Sequence, residues 1–187
     1  LKKHADKIGC IIVEPFLGNL GAITPKPGFL QGVRDLADRY GALLVYDEVQ
    51  SIRQTTGGFQ QYAGVYPDIT ALGKFIGGGY PVGAFGGRKD IMSLVDSFDD
   101  SINSVGHSGT FNGNEVTMTA GIASMKKYDQ TAADHINRLG AHLRKAGNEV
   151  FRELGIKCRL TGTGSLTFIT YTDAEVSNAT DFLVALI

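Results

Sequence analysis

Apolar residues along this 187-residue chain switch between two spacings, and the switches mark its elements. Residues 8–13 form a short, β-branched apolar run closed by Glu14-Pro15, which predicts a strand buried on both faces. The Gly- and Pro-rich stretch 18–27 predicts a loop. From Pro27 the spacing turns helical. Phe29, Leu30, Val33, Leu36, Ala37 and Tyr40 make one stripe, and Gly41 stands where a left-handed terminal glycine is expected. Residues 42–46 read as a second buried strand, ending in Asp47-Glu48. Strand, helix and strand with short links predict a parallel βαβ unit.

Residues 69–72 predict a third strand, followed at once by Gly73-Lys74. Residues 77–87 hold six glycines, with Val82, Ala84 and Phe85 spaced for a fourth strand. A helix is expected from about Asn114, where Val116, Met118, Ile122 and Met125 recur among small residues. A longer one carries Ile136, Leu139, Leu143, Ala146, Val150 and Leu154, and Gly155 ends it. Residues 158–161 and 166–171 predict strands of a second unit joined through Gly162-Thr163-Gly164. Residues 1–7 and 181–187 both read as helical segments interrupted mid-run, so the chain is expected to be a fragment.

Composition narrows the function classes. A hydrophobic content of 43% with 20% charged residues is that of an ordinary globular protein. Eighteen basic and 19 acidic residues leave a net charge of -1 with no basic stripe, which argues against a nucleic-acid partner. No apolar run approaches a membrane span and no signal peptide is visible, so a cytoplasmic location without a membrane partner is expected. The two cysteines, Cys10 and Cys158, lie far apart, and the four histidines are scattered. Neither set has disulfide or metal-ligand spacing, and no metal site is predicted. His135 and His142 could share a helix face, where solvated side chains are expected.

Two residues carry the candidate chemistry. Ligands of open α/β sheets sit outside the carboxyl ends of the strands, so an apolar strand ending in Asp47 delivers a fixed negative charge there. Lys74 follows the next short strand and is expected at the same crevice, flanked by glycines that let backbone approach a ligand. An acid facing a lysine suits pyridoxal phosphate (PLP), where lysine forms a Schiff base and Asp pairs with the ring nitrogen. A capping Asp with a solvated Lys is the ordinary alternative. So is a nucleotide-binding ATPase module using Asp47-Glu48 on magnesium, although the phosphate loop that such modules need is absent from this sequence. Gly162-Thr163-Gly164 fails as a dinucleotide fingerprint, because Thr167 stands where the third glycine belongs.

Larger landmarks then appear in order: Val13-Glu14-Pro15, Leu43-Leu44-Val45-Tyr46-Asp47-Glu48-Val49-Gln50, Asp68-Ile69-Thr70-Ala71-Leu72-Gly73-Lys74-Phe75-Ile76-Gly77-Gly78-Gly79, and His107-Ser108-Gly109-Thr110-Phe111-Asn112-Gly113-Asn114. Together they resemble the class III aminotransferases, nearest to the subgroup of glutamate-1-semialdehyde aminomutase and β-amino-acid aminotransferases. The resemblance implies the later part of a fold-type-I PLP-transferase large domain over residues 1–125. A connecting helix and the start of a small α+β domain would follow over 126–187. It implies a mostly parallel sheet with helices on both faces.

By the same resemblance, Lys74 is the Schiff-base lysine, Asp47 the partner of the ring nitrogen, and Val49 the residue packed on one ring face. Thr110 would bind the cofactor phosphate of a neighbouring subunit, which implies a homodimer. Glu14 and Asn19 fall in a segment near the cofactor hydroxyl, although Glu14 could equally cap the turn at Pro15. Gln50 receives no role, and Arg53 and Arg88 are expected at the surface. The implied reaction moves an amino group between a small amino compound and a keto or aldehyde acceptor, with intramolecular aminomutase transfer as the nearest competitor. Family members are longer on both sides, so this chain alone is expected to bind PLP weakly and to be inactive by itself.

Overall fold

The computed structural model describes residues 2–96, 98, 103–172, 174–176, 178 and 180–181. A short turn at Ala5–Lys7 leads into strand β1 (Cys10–Val13), helix α1 (Phe29–Tyr40) and strand β2 (Leu43–Asp47). A turn at Ser51–Gln54 and the short helix α2 (Gly58–Ala63) connect β2 to β3 (Ile69–Gly73). After a tight turn at Lys74–Gly77 the chain returns as β4 (Gly83–Gly87). The sheet order is β1-β2-β3-β4, with the first three strands parallel and β4 antiparallel. This is the mostly parallel α/β layer that the pattern predicts.

Two local expectations need correction. β1 is not buried on both faces: Ile12 is 66% exposed. The core lies on the side of Ile11 and Val13, and the period of two turns Cys10 and Ile12 to the face it does not reach. Helix α1 begins at Phe29 rather than at Pro27, because Pro27 and Gly28 occupy the centre of a turn closed by the Phe29 N–H on the Lys26 carbonyl (3.0 Å). Gly28 takes φ 82°, the left-handed value that the second central residue of such a turn requires. Leu30, Val33 and Ala37 then face the core while Phe29 and Leu36 remain exposed. Gly41 ends α1 in the left-handed conformation, as expected.

Leu44 and Tyr46 of β2 pack with Leu30 and Ala37 of α1, and Phe16 meets Phe59 of α2 edge-on at 5.3 Å. Asp68 ties these layers together. Its carboxylate accepts from the Leu44 N–H (2.7 Å) and pairs with Arg34 of α1 and Arg88 beyond β4, both at 2.9 Å. Burial pushes this carboxyl up, but the Leu44 amide and the Arg88 and Arg34 guanidiniums outweigh it and hold it below the ordinary carboxylate value. A depressed folded-state value stabilises the fold in full above the unfolded value of 3.8, and this contribution declines as pH falls below it. Asp68→Asn is therefore expected to cost about 3 kcal/mol at pH 7, since two arginines lose a buried partner. The deficit against the unaltered protein narrows below about pH 4. Urea unfolding at the two pH values checks both parts.

Helix α3 (Lys89–Met92) follows β4, and α4 (Glu115–Met125) starts at Asn114, whose side chain accepts from the Thr117 N–H (3.1 Å). Helix α5 (Gln130–Glu153) is capped by Asp129 and leads to the antiparallel pair β5 (Arg159–Thr161) and β6 (Phe168–Thr170). Arg144 of α5 donates to the Gly164 and Leu166 carbonyls (2.9 Å each) and holds the β5–β6 loop down. Leu166 and Phe168 also pack against the main core. The helix expected over 181–187 falls, from residue 182 onward, outside the described residues.

Candidate active site

Parallel pairing brings the carboxyl ends of β2 and β3 to one edge of the sheet. Asp47 is in register with Ala71, and the ladder continues one step further through the Glu48 N–H on the Ala71 carbonyl (2.9 Å). Lys74 lies three residues beyond Ala71 along the neighbouring strand. At a rise of about 3.3 Å per residue and a strand spacing of about 4.8 Å, their Cα atoms stand about 11 Å apart. Residues of opposite charge therefore stand at adjacent strand ends, and no ion pair joins them among the described residues.

Asp47 is half-buried. Its Oδ1 accepts from the Val49 N–H at 3.0 Å, which fixes the carboxylate against the strand end, while Oδ2 carries no hydrogen bond among the described residues. The γ-methyls of Val49 lie 3.4 and 3.5 Å from where a Cβ on Gly73 would sit, so this side chain packs over the residue just before the lysine. Lys74 is exposed and has φ 47°, a left-handed value that a side chain with a Cβ adopts only against strain. Helix α4 lies directly beneath this turn. A Cβ on Gly121 would stand 2.5 Å from the Ile76 carbonyl oxygen, so only glycine permits that approach.

Glu48 points the other way. It is fully buried, and its carboxylate accepts from Ser51 Oγ (2.6 Å) and from the N–H groups of Phe59 and Gln60 (2.8 Å each). This removes it from the magnesium-binding alternative: its oxygens anchor the start of α2 rather than face the strand-end crevice. Among the described residues no group of three His, Cys, Asp or Glu is placed to hold a metal ion.

The remaining candidates divide. Glu14 Oε2 accepts from the Gly18 N–H (2.9 Å), so it shapes the loop after β1 as a turn cap would. Asn19 Oδ1 accepts from Gln50 Nε2 (2.7 Å), which ties that loop to the segment following Asp47. Gln50 was given no role by sequence reasoning, yet it joins the two segments. Its place three residues after a strand-end acid is the signal that could have found it. Thr110 is exposed in the loop before α4, held near β4 by the edge-on contact of His107 with Phe85 (5.1 Å). No hydrogen bond or ion pair links Thr110 to Asp47 or Lys74 among the described residues. A cavity of about 1310 Å³ opens between β4 and α4 along Tyr80, Val82, Phe85, Phe111 and Ile122. It contains neither Asp47 nor Lys74, and its lining is mostly apolar, with His107, Asn112, Asn114 and Thr117 among it. Arg88 is engaged by Asp68 and Asp90, and His135 and His142 are exposed.

The profile described as "Aminotransferase class-III" matches residues 1–185. The chain belongs to that family. This class-III chain is 41% identical over 180 residues to glutamate-1-semialdehyde 2,1-aminomutase 2 of Lachnoclostridium phytofermentans, covering 95% of itself and 41% of that relative. It superposes on the β-phenylalanine aminotransferase of Variovorax paradoxus with a TM-score of 0.87 at 40% identity, over 97% of this chain and 42% of that one. A transaminase with PLP bound matches at TM-score 0.86 and 34% identity, over 94% and 41% of the two chains. The class-III chain thus has the fold-type-I architecture of these neighbours and spans about two-fifths of their length.

Proposed function

We propose that this class-III chain holds PLP between Asp47 and Lys74, and that the whole protein uses it to move amino groups. The observation that carries this reading is the parallel register that sets the two side chains at adjacent strand ends with Val49 packed beside the lysine. The donor set fits the group: a half-buried carboxylate with one uncommitted oxygen, and an amine without a salt-bridge partner among the described residues. PLP, when bound, supplies an aldehyde that captures amines and a ring that accepts electrons. Asp47 would hold a proton on the ring nitrogen, and Val49 would shield one ring face from water. Lys74 would hold the cofactor covalently through its aldehyde, and its amine would be the group that moves the substrate proton.

Thr110 holds the phosphate of a neighbouring subunit in a cytoplasmic homodimer, and the chain divides into a cofactor-binding part (1–125) and the start of a small domain (126–187). Asn19, tied to Gln50, and Glu14, which shapes the same loop through the Gly18 N–H, would border the cofactor's hydroxyl side. The substrates are a small amino compound and a keto or aldehyde acceptor. Intramolecular transfer is the second reading, favoured by the 41% identity to an aminomutase. Consumption of a separate 2-oxo acid separates the two.

Borohydride reduction of the whole protein followed by peptide mass mapping is the direct test. A pyridoxyl group is expected on the peptide containing Lys74. A label on any other lysine, or none at all, overturns the assignment.

A further inference from the structure

Two turns carry the proposed site. One, Ser51–Gln54, follows Asp47 and Val49; the other, Lys74–Gly77, begins with the lysine itself. They belong to different strand ends, and no ladder hydrogen bond extends as far as Lys74, because β3 ends at Gly73. One side chain outside both turns touches each of them. Tyr128, between α4 and α5, packs its ring edge-on against Phe75 with centroids 4.4 Å apart, and its hydroxyl donates to the Arg53 carbonyl.

We propose that Tyr128 is a positioning residue for the Lys74 site, a clamp that fixes the spacing between the turn that follows the acid-bearing strand and the turn that bears the lysine. This rests on the functional reading above. Three observations support it. Phe75 adjoins Lys74, whose left-handed backbone persists only where its surroundings over-determine it, and Tyr128 packs directly against that neighbour. The Arg53 carbonyl lies in a short turn rather than in a ladder, so a donor from outside satisfies a backbone group and immobilises the turn at once. The next carbonyl in that turn, Gln54, is held in the same manner by Asn137 Nδ2 of α5 (2.8 Å), and the Gln54 side chain donates to the Thr163 carbonyl (3.3 Å). The turn after Asp47 is thereby fastened to the 128–165 region rather than to its own strand alone. Tyr128 is the member of this set that also reaches the lysine side.

The test uses Tyr128→Phe and Tyr128→Leu in the whole protein, with two kinds of readout. Hydrogen exchange is measured first, without cofactor, on peptides covering 50–54 and 74–77. Phe keeps the ring and loses the hydroxyl, so exchange at 50–54 is expected to rise about fivefold while 74–77 stays near the unaltered protein. Leu loses both contacts and is expected to raise exchange in both turns. With PLP bound, Leu is expected to lower kcat about 10-fold with little change in KM and to shift the pH midpoint of the visible band, and Phe, which keeps one of the two contacts, to fall between Leu and the unaltered protein in both. Unaltered exchange in both turns of the Leu variant overturns the proposal. A uniform loss of protection with an unmoved pH midpoint does so too, since that is the behaviour of an aromatic that merely fills space. Absence of any cofactor band in the unaltered protein sinks the parent reading instead, and the exchange data still decide the clamp.

Discussion

Lys74→Ala is expected to abolish covalent capture of PLP and to lower turnover by about 10³-fold or more, because in the proposed function one amine both attaches the cofactor and moves the substrate proton. The visible band of the bound cofactor should disappear from the spectrum, and borohydride should no longer label the protein. Folding should be unaffected, since the side chain is exposed and takes part in no ion pair among the described residues. Backbone strain gives a further control. At φ 47° alanine keeps the Cβ that makes this conformation costly, whereas glycine removes it. Lys74→Gly should therefore be equally inactive yet more stable than Lys74→Ala by about 1 kcal/mol in urea unfolding. Equal stabilities would show that the turn relaxes freely and stores no strain.

Asp47→Asn is expected to lower turnover by about 10²- to 10³-fold and to weaken cofactor binding, with the fold intact. The amide oxygen can still accept the Val49 N–H that Oδ1 now accepts at 3.0 Å, so the strand end keeps its shape. What is lost is negative charge. A neutral amide no longer stabilises a protonated ring nitrogen, and this interaction strengthens as electrons flow toward the ring in the transition state. Steady-state turnover together with cofactor titration checks the prediction. Loss of binding with turnover unchanged at saturating PLP would assign Asp47 to anchoring alone.

The contrast between Asp47 and Glu48 shows how far the chain could be read beforehand. Both are carboxylates at the end of one apolar strand, and both were compatible with a magnesium site. The period of two sends them to opposite faces, and which face becomes core depends on where α1 and α2 pack. The four sheet strands and the three long helices were legible because each declares itself within a few residues, through apolar spacing and through Gly41, Asn114 and Gly155 near their ends. β1 was misjudged for the complementary reason: an apolar run looks the same whether one face or both are covered. Gln50 and Tyr128 were invisible as site neighbours because their partners, Asn19, Arg53 and Phe75, lie far off in sequence.

The sequence by itself determined the elements, their order and the two candidate side chains at the strand ends, because propensity, turn chemistry and strand-end position are properties of neighbouring residues. Only the tertiary structure decided which carboxylate faces the crevice, which residues steady the two turns, and how the lysine is held in a left-handed backbone. Those depend on contacts between distant segments, whose free energy arises only once the layers have packed together.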